Sequence, residues 1–375
     1  MKKSRVFFIT MRTKLGESLL VKMDRMIKKA GISEIDFKDK YVAIKIHFGE
    51  PGNLAFLRPN FAKVVADRIK ALGGKPFLTD CNTLYVGGRS QGLDHLTAAA
   101  ENGYTPLSTG CHNIIADGIR GNDDVKVPVK GGKYCKHASI GRAIMDADIV
   151  ISLNHFKGHE GTGFGGALKN LGMGSGSRAG KMVMHNDGKP LVDQKLCNGC
   201  KVCARFCAHG AISFAGGKAS IDHKKCTGCG SCIGACSKNA IETAWSTSNT
   251  LLNCKIVEYA KAVIDDRPHF HINVVNQVSP YCDCHAESDA AIVPDIGIFA
   301  SFDPVALDKA CIDAVNAAPA IPTSIIGERK CSHRDTAGND DHFTNIHPTT
   351  DWRGQISHAE KLGLGSGQYE LITVK

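Results

Sequence analysis

The sequence predicts an α/β protein: a mostly parallel sheet with flanking helices, interrupted by a small α+β domain. Two observations carry this. Short, β-branched apolar runs alternate with helix-patterned segments, the pattern of a buried parallel sheet covered by helices. Near the middle, one cysteine-rich segment occurs twice.

The strand-like runs are 6–10, 41–46, 76–79, 149–153, 270–275 and 296–300. Residues 59–72 read as a helix. Pro59 suits its first turn, Phe61, Val64, Val65, Ile69 and Leu72 form an apolar stripe, and Gly73–Gly74 ends it. Residues 303–315 read as another, with Pro304 at its start. In parallel sheets ligands bind beyond the carboxyl ends of the strands. Here those ends are rich in reactive groups. Lys45 and His47 follow one strand, and Asp80, Cys81 and Asn82 another. Asn154, His155, Lys157, His159 and Glu160 follow a third, and Asn276, Gln277, Cys282, Asp283, Cys284 and His285 a fourth. This concentration predicts a site, with His47, Asp80, His155, His159 and Asp283 as candidate catalytic proton donors or ligands. Lys45, Lys157 and Lys169 would hold negative charge on a ligand.

The repeat reads CNGCKVCARFCAHGAISF from Cys197 and CTGCGSCIGACSKNAIET from Cys226, every position offset by 29 residues. Each copy is Cys-x2-Cys-x2-Cys-x3-Cys, the bacterial ferredoxin spacing for two [4Fe–4S] clusters, whose fourth cysteine ligates the other cluster. Cluster one would take Cys197, Cys200, Cys203 and Cys236. Cluster two would take Cys226, Cys229, Cys232 and Cys207. Gly199, Gly228 and Gly230 suit the tight turns that aim amides at sulfide. Zinc sites normally use two separated Cys-x2-Cys pairs and fit this run poorly. Ala208 and Ser237 stand where proline usually follows the fourth cysteine. The expected organisation is therefore a first α/β part (1–189), a ferredoxin-like α+β insert (190–245) and a second α/β part (246–375).

Three smaller signals remain. The run from Gly161 to Lys181 holds a Gly-x-Gly-x-x-Gly at Gly161, Gly163 and Gly166. It starts too far from its strand, and glycines recur too soon, for a dinucleotide fingerprint. It also lacks the Ser/Thr after lysine of a phosphate-binding P-loop. An anion or cofactor cradle from Gly163, Gly165, Gly166, Lys169 and Asn170 is the remaining expectation. His155-x3-His159 could place two rings on one helical face, although Gly158 weakens a helix there. Cys282-x-Cys284-His285 could chelate an additional soft metal; its alternative is two reduced thiols in a loop. The polar stretch with His333, Asp340, Asp341, His342 and His347 suggests no role.

Composition narrows the function classes. Of 375 residues, 43% are hydrophobic and only 6% aromatic, so the core rests on aliphatic side chains. The formal charge of +9 has no dense basic stripe behind it, which argues against nucleic acid. No membrane-length apolar run is visible, and the 6–10 run is too short for a signal peptide. Sixteen cysteines in such a chain point to metal ligation in a reducing cytoplasm, not to disulfides.

These residues together resemble a family. DCNTLYVGGRSQGLDH from Asp80, HFKGHEGTGFGGALKNLGMG from His155, the two cysteine runs, and CDCHAESDAAIVPDIGIFASFDPVALDKA from Cys282 are similar to the uncharacterised iron–sulfur centre proteins of domain-of-unknown-function family 362. The resemblance covers about residues 40–315. It implies an α/β domain with an inserted two-cluster ferredoxin and supplies no reaction. The function expected is an iron–sulfur oxidoreductase. It would take electrons from a soluble carrier protein and pass them to a small molecule or protein-bound cofactor at the strand ends. The alternatives are an electron-transfer subunit without catalysis, with a shallow surface at the strand ends, and a reductive maturation factor for another protein's metallocofactor, with an exposed Cys282–His285 segment.

Overall fold

In the computed structural model, residues 3–186, 189–243, 245, 247–332 and 341–375 are described. Eight strands form one sheet: β1 (Ser4–Thr10), β2 (Tyr41–Lys45), β3 (Lys75–Asp80), β4 (Asn113–Ile115), β5 (Ile149–His155), β6 (His269–Val275), β7 (Gly297–Ser301) and β8 (Tyr369–Thr373). Their spatial order is β8-β1-β7-β6-β5-β2-β3-β4. Every neighbouring pair is parallel except the two that involve β7. The fold is thus α/β with a mainly parallel central sheet. The expected strand at 149–153 runs on through His155, carrying that side chain inside the sheet. His333 and Asp340 lie outside the described residues.

Helices cover both faces. On one, α1 (Leu19–Lys29) and α2 (Pro59–Ala71) bury Met23, Met26, Ile27, Phe61, Val65 and Ile69 against Ile9, Ile44, Ile151 and Ile272. The edge strand β4 packs against α3 (Gly92–Glu101). On the other face lie α4 (Ala167–Ser175), α5 (Arg178–Asn186), α6 (Asn249–Ile264), α7 (Pro304–Ala317) and α8 (Trp352–Lys361). There Leu168, Leu171, Val257, Val263, Val305 and Ile312 meet Val150, Val275 and Phe299. α6 is apolar on nearly every side because it packs between α4 and α8. A Cβ at Gly172 would lie 2.1 Å from the Ile256 carbonyl oxygen, so α4 and α6 touch backbone to backbone there. The Asp303 carboxylate caps α7 by accepting from Val305 and Ala306 N–H at 2.8 and 2.9 Å.

Between α5 and α6 the chain leaves this layered body. Pro190–Val192 pairs with Ile241–Thr243, and Ile212–Ser213 with Ser220–Ile221, both antiparallel and apart from the large sheet. The sequence repeat is also a backbone repeat. Gly199, Lys201 and Gly210 have φ of 70°, 63° and 54°; their counterparts Gly228, Gly230 and Asn239 have 74°, 69° and 52°. The same left-handed turns wrap each set of cysteines.

Candidate functional site

A cavity of about 600 Å³ opens at the carboxyl ends of β2, β3, β5 and β6. Its walls are built from ion pairs. At the end of β2, Lys45 reaches across to Asp80 at the end of β3, 2.9 Å away, with both side chains buried. Asp80 also accepts from Arg89 at 3.2 Å, and Arg89 meets Glu50 at 3.0 Å. Burial raises the Asp80 pKa, but Lys45, His95 and Arg89 outweigh it and hold the carboxyl below its ordinary value. Asn170 locks this corner, accepting from Lys45 Nζ at 2.6 Å and donating to the Lys45 carbonyl at 2.9 Å.

A second knot joins β5 to the loop after β6. Both Asp283 oxygens lie 2.9 Å from His155 Nδ1, and the opposite ring nitrogen donates to the Asn276 carbonyl at 2.8 Å. Lys157 adds an ion pair to Asp283 at 3.2 Å. Burial opposes the Asp283 charge, yet His155 and Lys157 hold its pKa well down. His155, Asp283 and Asp80 are therefore fully engaged partners that shape the walls.

His47 and His159 are placed differently. His47 Nδ1 accepts from Gly49 N–H at 3.0 Å, which puts the ring hydrogen on Nε2. Burial, and then the cations Arg89, Lys157, Lys169 and Lys45, press the His47 pKa well below normal and keep it neutral. His159 Nδ1 accepts from the N–H of Gly161 and Thr162 at 3.0 and 3.1 Å, which again leaves Nε2–H as the donor. Both rings line the cavity. So does Lys181, whose ammonium donates to the Gly176 carbonyl at 2.6 Å and has no carboxylate within ion-pair distance among the described residues.

Just beyond the expected glycine cradle, the start of α4 is already occupied. The first amides of α4, at Ala167 and Leu168, donate to the Asp308 carboxylate at 2.8 and 2.9 Å. Gly163 packs against Thr350 and Trp352, while Gly165, Gly166, Lys169 and Asn170 line the cavity. The glycines serve close approach: a Cβ on Gly174 would meet Lys45 Nζ at 2.5 Å. His155 and His159 lie on a strand and a short hairpin, not a helix.

Cys282, Cys284 and His285 gather at one rim. Donor atoms of His159, Cys282 and Cys284 lie within 4.8 Å of one another, as do those of Glu160, Cys284 and His285. Lys169 Nζ donates to Cys282 Sγ at 3.0 Å. Burial alone would raise the Cys282 pKa. The Cys284 hydrogen bond, then Lys169 and His159, hold it well below a free thiol's.

The insert brings its thiols together in two groups. Cys197, Cys200, Cys203 and Cys236 line one small cavity with Phe214 and Ile241. Burial, and then the neighbouring Cys229, Cys226 and Cys203, push the Cys232 thiol up to about 12, and Cys203 and Cys232 share one buried cluster. Such groups are compatible with metal cofactors. This second group faces the α/β body. A Cβ on Gly230 or Gly234 would lie 2.7 or 2.6 Å from the buried Arg178 side chain, and Asn122 donates to Ser231 at 3.4 Å. Arg120 stacks its guanidinium 4.0 Å from the Phe206 ring.

Sequence reasoning missed Arg89, Glu50, Tyr85, Lys181, His185 and Trp245, all lining the cavity. Arg89 and Lys181 had a usable signal, since each ends a glycine-rich stretch close behind a strand-end site residue. His185 and Trp245 meet edge to face, ring centroids 4.5 Å apart, and come from the segments that enter and leave the insert.

No helix among the described residues is long and apolar enough to cross a membrane. The chain is 30% identical over 127 residues to the thylakoid-associated protein sll1697 of Synechocystis sp., a match covering 32% of this chain and 34% of that protein. The match thus spans about a third of the length of that curated relative. Among solved structures it is similar to the lactate racemase apoprotein of Thermoanaerobacterium thermosaccharolyticum, with 11% identity, a TM-score of 0.37, and 68% of this chain and 49% of that one covered. A Thermotoga maritima protein gives 11% identity and a TM-score of 0.39 over 79% and 58%. Residues 42–313 match the family described as Domain of unknown function (DUF362), and the chain belongs to that family.

Proposed function

We propose that this DUF362 member is an iron–sulfur oxidoreductase that delivers electrons to an anionic small molecule, or to a protein-bound cofactor, held in the strand-end cavity. One observation supports the reading: Cys197, Cys200, Cys203 and Cys236 line one small cavity, Cys226 and Cys229 lie near Cys232, and the loop bearing Cys232 packs against the charged cavity domain. Cys197, Cys200, Cys203 and Cys236 would hold one [4Fe–4S] cluster, and Cys226, Cys229, Cys232 and Cys207 the other. When bound, such clusters supply one-electron transfer. The sulfurs fit that role. Ala219, Ala211 and Ala240 amides donate to Cys197, Cys207 and Cys236, each at 3.3 Å, the outer-shell contact that stabilises thiolate charge.

The chain's other residues would bind and protonate. Lys181 would draw the ligand's negative charge into the cavity. His47 and His159 present Nε2–H groups that would donate hydrogen bonds to charge developing on the ligand as electrons arrive. Lys45, Asp80, Arg89 and Glu50 fix the walls and need not change charge. Electrons would enter at the far thiol group, where Cys200 is exposed among exposed Lys195, Lys201, Lys218 and Lys238. That basic surface suits an acidic, soluble electron carrier. We place the protein in the cytoplasm, where its many thiols stay reduced. A carrier without catalysis has no use for a cavity of about 600 Å³ lined by uncommitted N–H donors, while the maturation-factor alternative draws on the exposed His285 and half-buried Cys284 of the Cys282–His285 segment.

The test is release of a ligand. Anaerobically purified protein, denatured in acid, should yield a small anion by mass spectrometry. Lys181→Met should keep its iron and yield none. Iron-loaded wild type that releases nothing, with His47→Ala unchanged in any electron-accepting assay, would defeat the catalytic reading.

A further inference from the structure

We infer that Cys282 and Cys284 form a redox-active dithiol that exchanges with a disulfide ligand in the cavity. The two sulfurs lie within 4.8 Å of each other, and the Cys284 N–H donates to Cys282 Sγ at 3.4 Å. Cys284 lines the cavity, while Cys282 is 1% exposed behind it. One sulfur is therefore reachable by a ligand and the other is held against it.

The surroundings favour thiol chemistry over a metal. His159 is a poor ligand, because Gly161 and Thr162 N–H groups occupy Nδ1 and leave the hydrogen on Nε2. The His159 ring lies within 4.8 Å of both sulfurs. Lys169 holds an ammonium 3.0 Å from Cys282 Sγ, where it repels a cation and supports a thiolate. The loop is also held in place. Gly158 N–H donates to the Ser279 carbonyl at 2.8 Å, and a Cβ on Gly158 would lie 2.2 Å from the Pro280 oxygen. The hairpin bearing His159 is thereby clamped to the segment bearing both cysteines.

The exchange balances without any other group. Cys284 sulfur attacks one sulfur of R–S–S–R and passes its proton to Cys282; the S–S bond breaks and RS⁻ leaves. That thiolate takes the proton back from Cys282. The Cys282 thiolate then attacks Cys284–S–S–R, forms the Cys282–Cys284 bond and expels a second RS⁻. In sum, the ligand disulfide is reduced to one thiol and one thiolate while the protein dithiol is oxidised.

Full-length protein, purified anaerobically, is equilibrated with glutathione and glutathione disulfide at graded ratios. It is quenched in acid, alkylated under denaturing conditions, and the peptide holding both cysteines is weighed. Wild type should pass in one two-electron transition from doubly alkylated to an unalkylated, internally bonded peptide. Cys282→Ser should trap glutathione on Cys284, while Cys284→Ser should leave the buried Cys282 free. Two free thiols in wild type at every ratio would overturn the couple. So would thiols protected until a chelator releases stoichiometric metal. Iron content is scored separately, so loss of the cluster assignment and loss of this couple are told apart.

Discussion

The insert and the α/β domain hold their functional groups by opposite means. In the α/β domain, two continuous apolar layers on an eight-stranded sheet fix the cavity walls before any ligand arrives. In the insert the buried apolar cluster is Cys203, Ala219, Cys232 and Ile241, two of them prospective ligands, with only Ala211, Ala235 and Ala240 buried besides among the described residues. A core that small does not offset chain entropy, so whatever the thiols bind must supply folding energy. The comparison teaches that one region is a preformed site and that the other, on the proposed reading, would be completed by its cofactor.

The largest effect should separate the two. Stripping metal from the protein, or making Cys203→Ser with Cys232→Ser, should abolish amide-exchange protection across the insert while protection in β2, β5 and β6 persists. Full protection of the metal-free insert would erase the distinction. The next effect lies in the cavity wall. Lys45→Met removes the nearer of Asp80's two buried cationic partners, leaving Arg89, and should cost about 2–3 kcal/mol in urea unfolding. Lys63→Met, which breaks the exposed pair with Asp67, should change stability by about 0.5 kcal/mol or less. Gly158→Ala forces apart the hairpin and the cysteine loop and should cost about 1–3 kcal/mol.

The smallest effect is a pH slope. Burial presses His95 and His185 down to about 3 in the folded chain, from an ordinary 6.5. Depressed histidines contribute stability that is present above pH 6.5 and lost as pH falls, because the unfolded chain takes up the protons first. Each should remove about 1 kcal/mol between pH 6.5 and 5.5. His95→Gln should flatten that slope in denaturant melts at graded pH, and an unchanged slope would assign it elsewhere.

Legibility followed the same division. The two cysteine runs stood out in the sequence because their thiols are close together and identically spaced in both copies. The strand ends were readable because polar groups at the ends of apolar runs need a reason to be there. What stayed hidden was pairing. Nothing in the local pattern says that Asp308 answers the amides of Ala167 and Leu168, some 140 positions away, so the glycine run looked open to a ligand. Nor does a run of alternating apolar residues encode direction, so β7 gave no sign that it runs against its neighbours. His155 and His47 look alike as strand-end histidines; only tertiary partners commit one ring to Asp283 and leave the other facing the cavity.

The most direct measurement is iron and acid-labile sulfide per chain in anaerobically purified protein. Two clusters on these eight cysteines require about eight irons and eight sulfides. Zinc in their place, or iron without inorganic sulfide, would contradict the redox assignment.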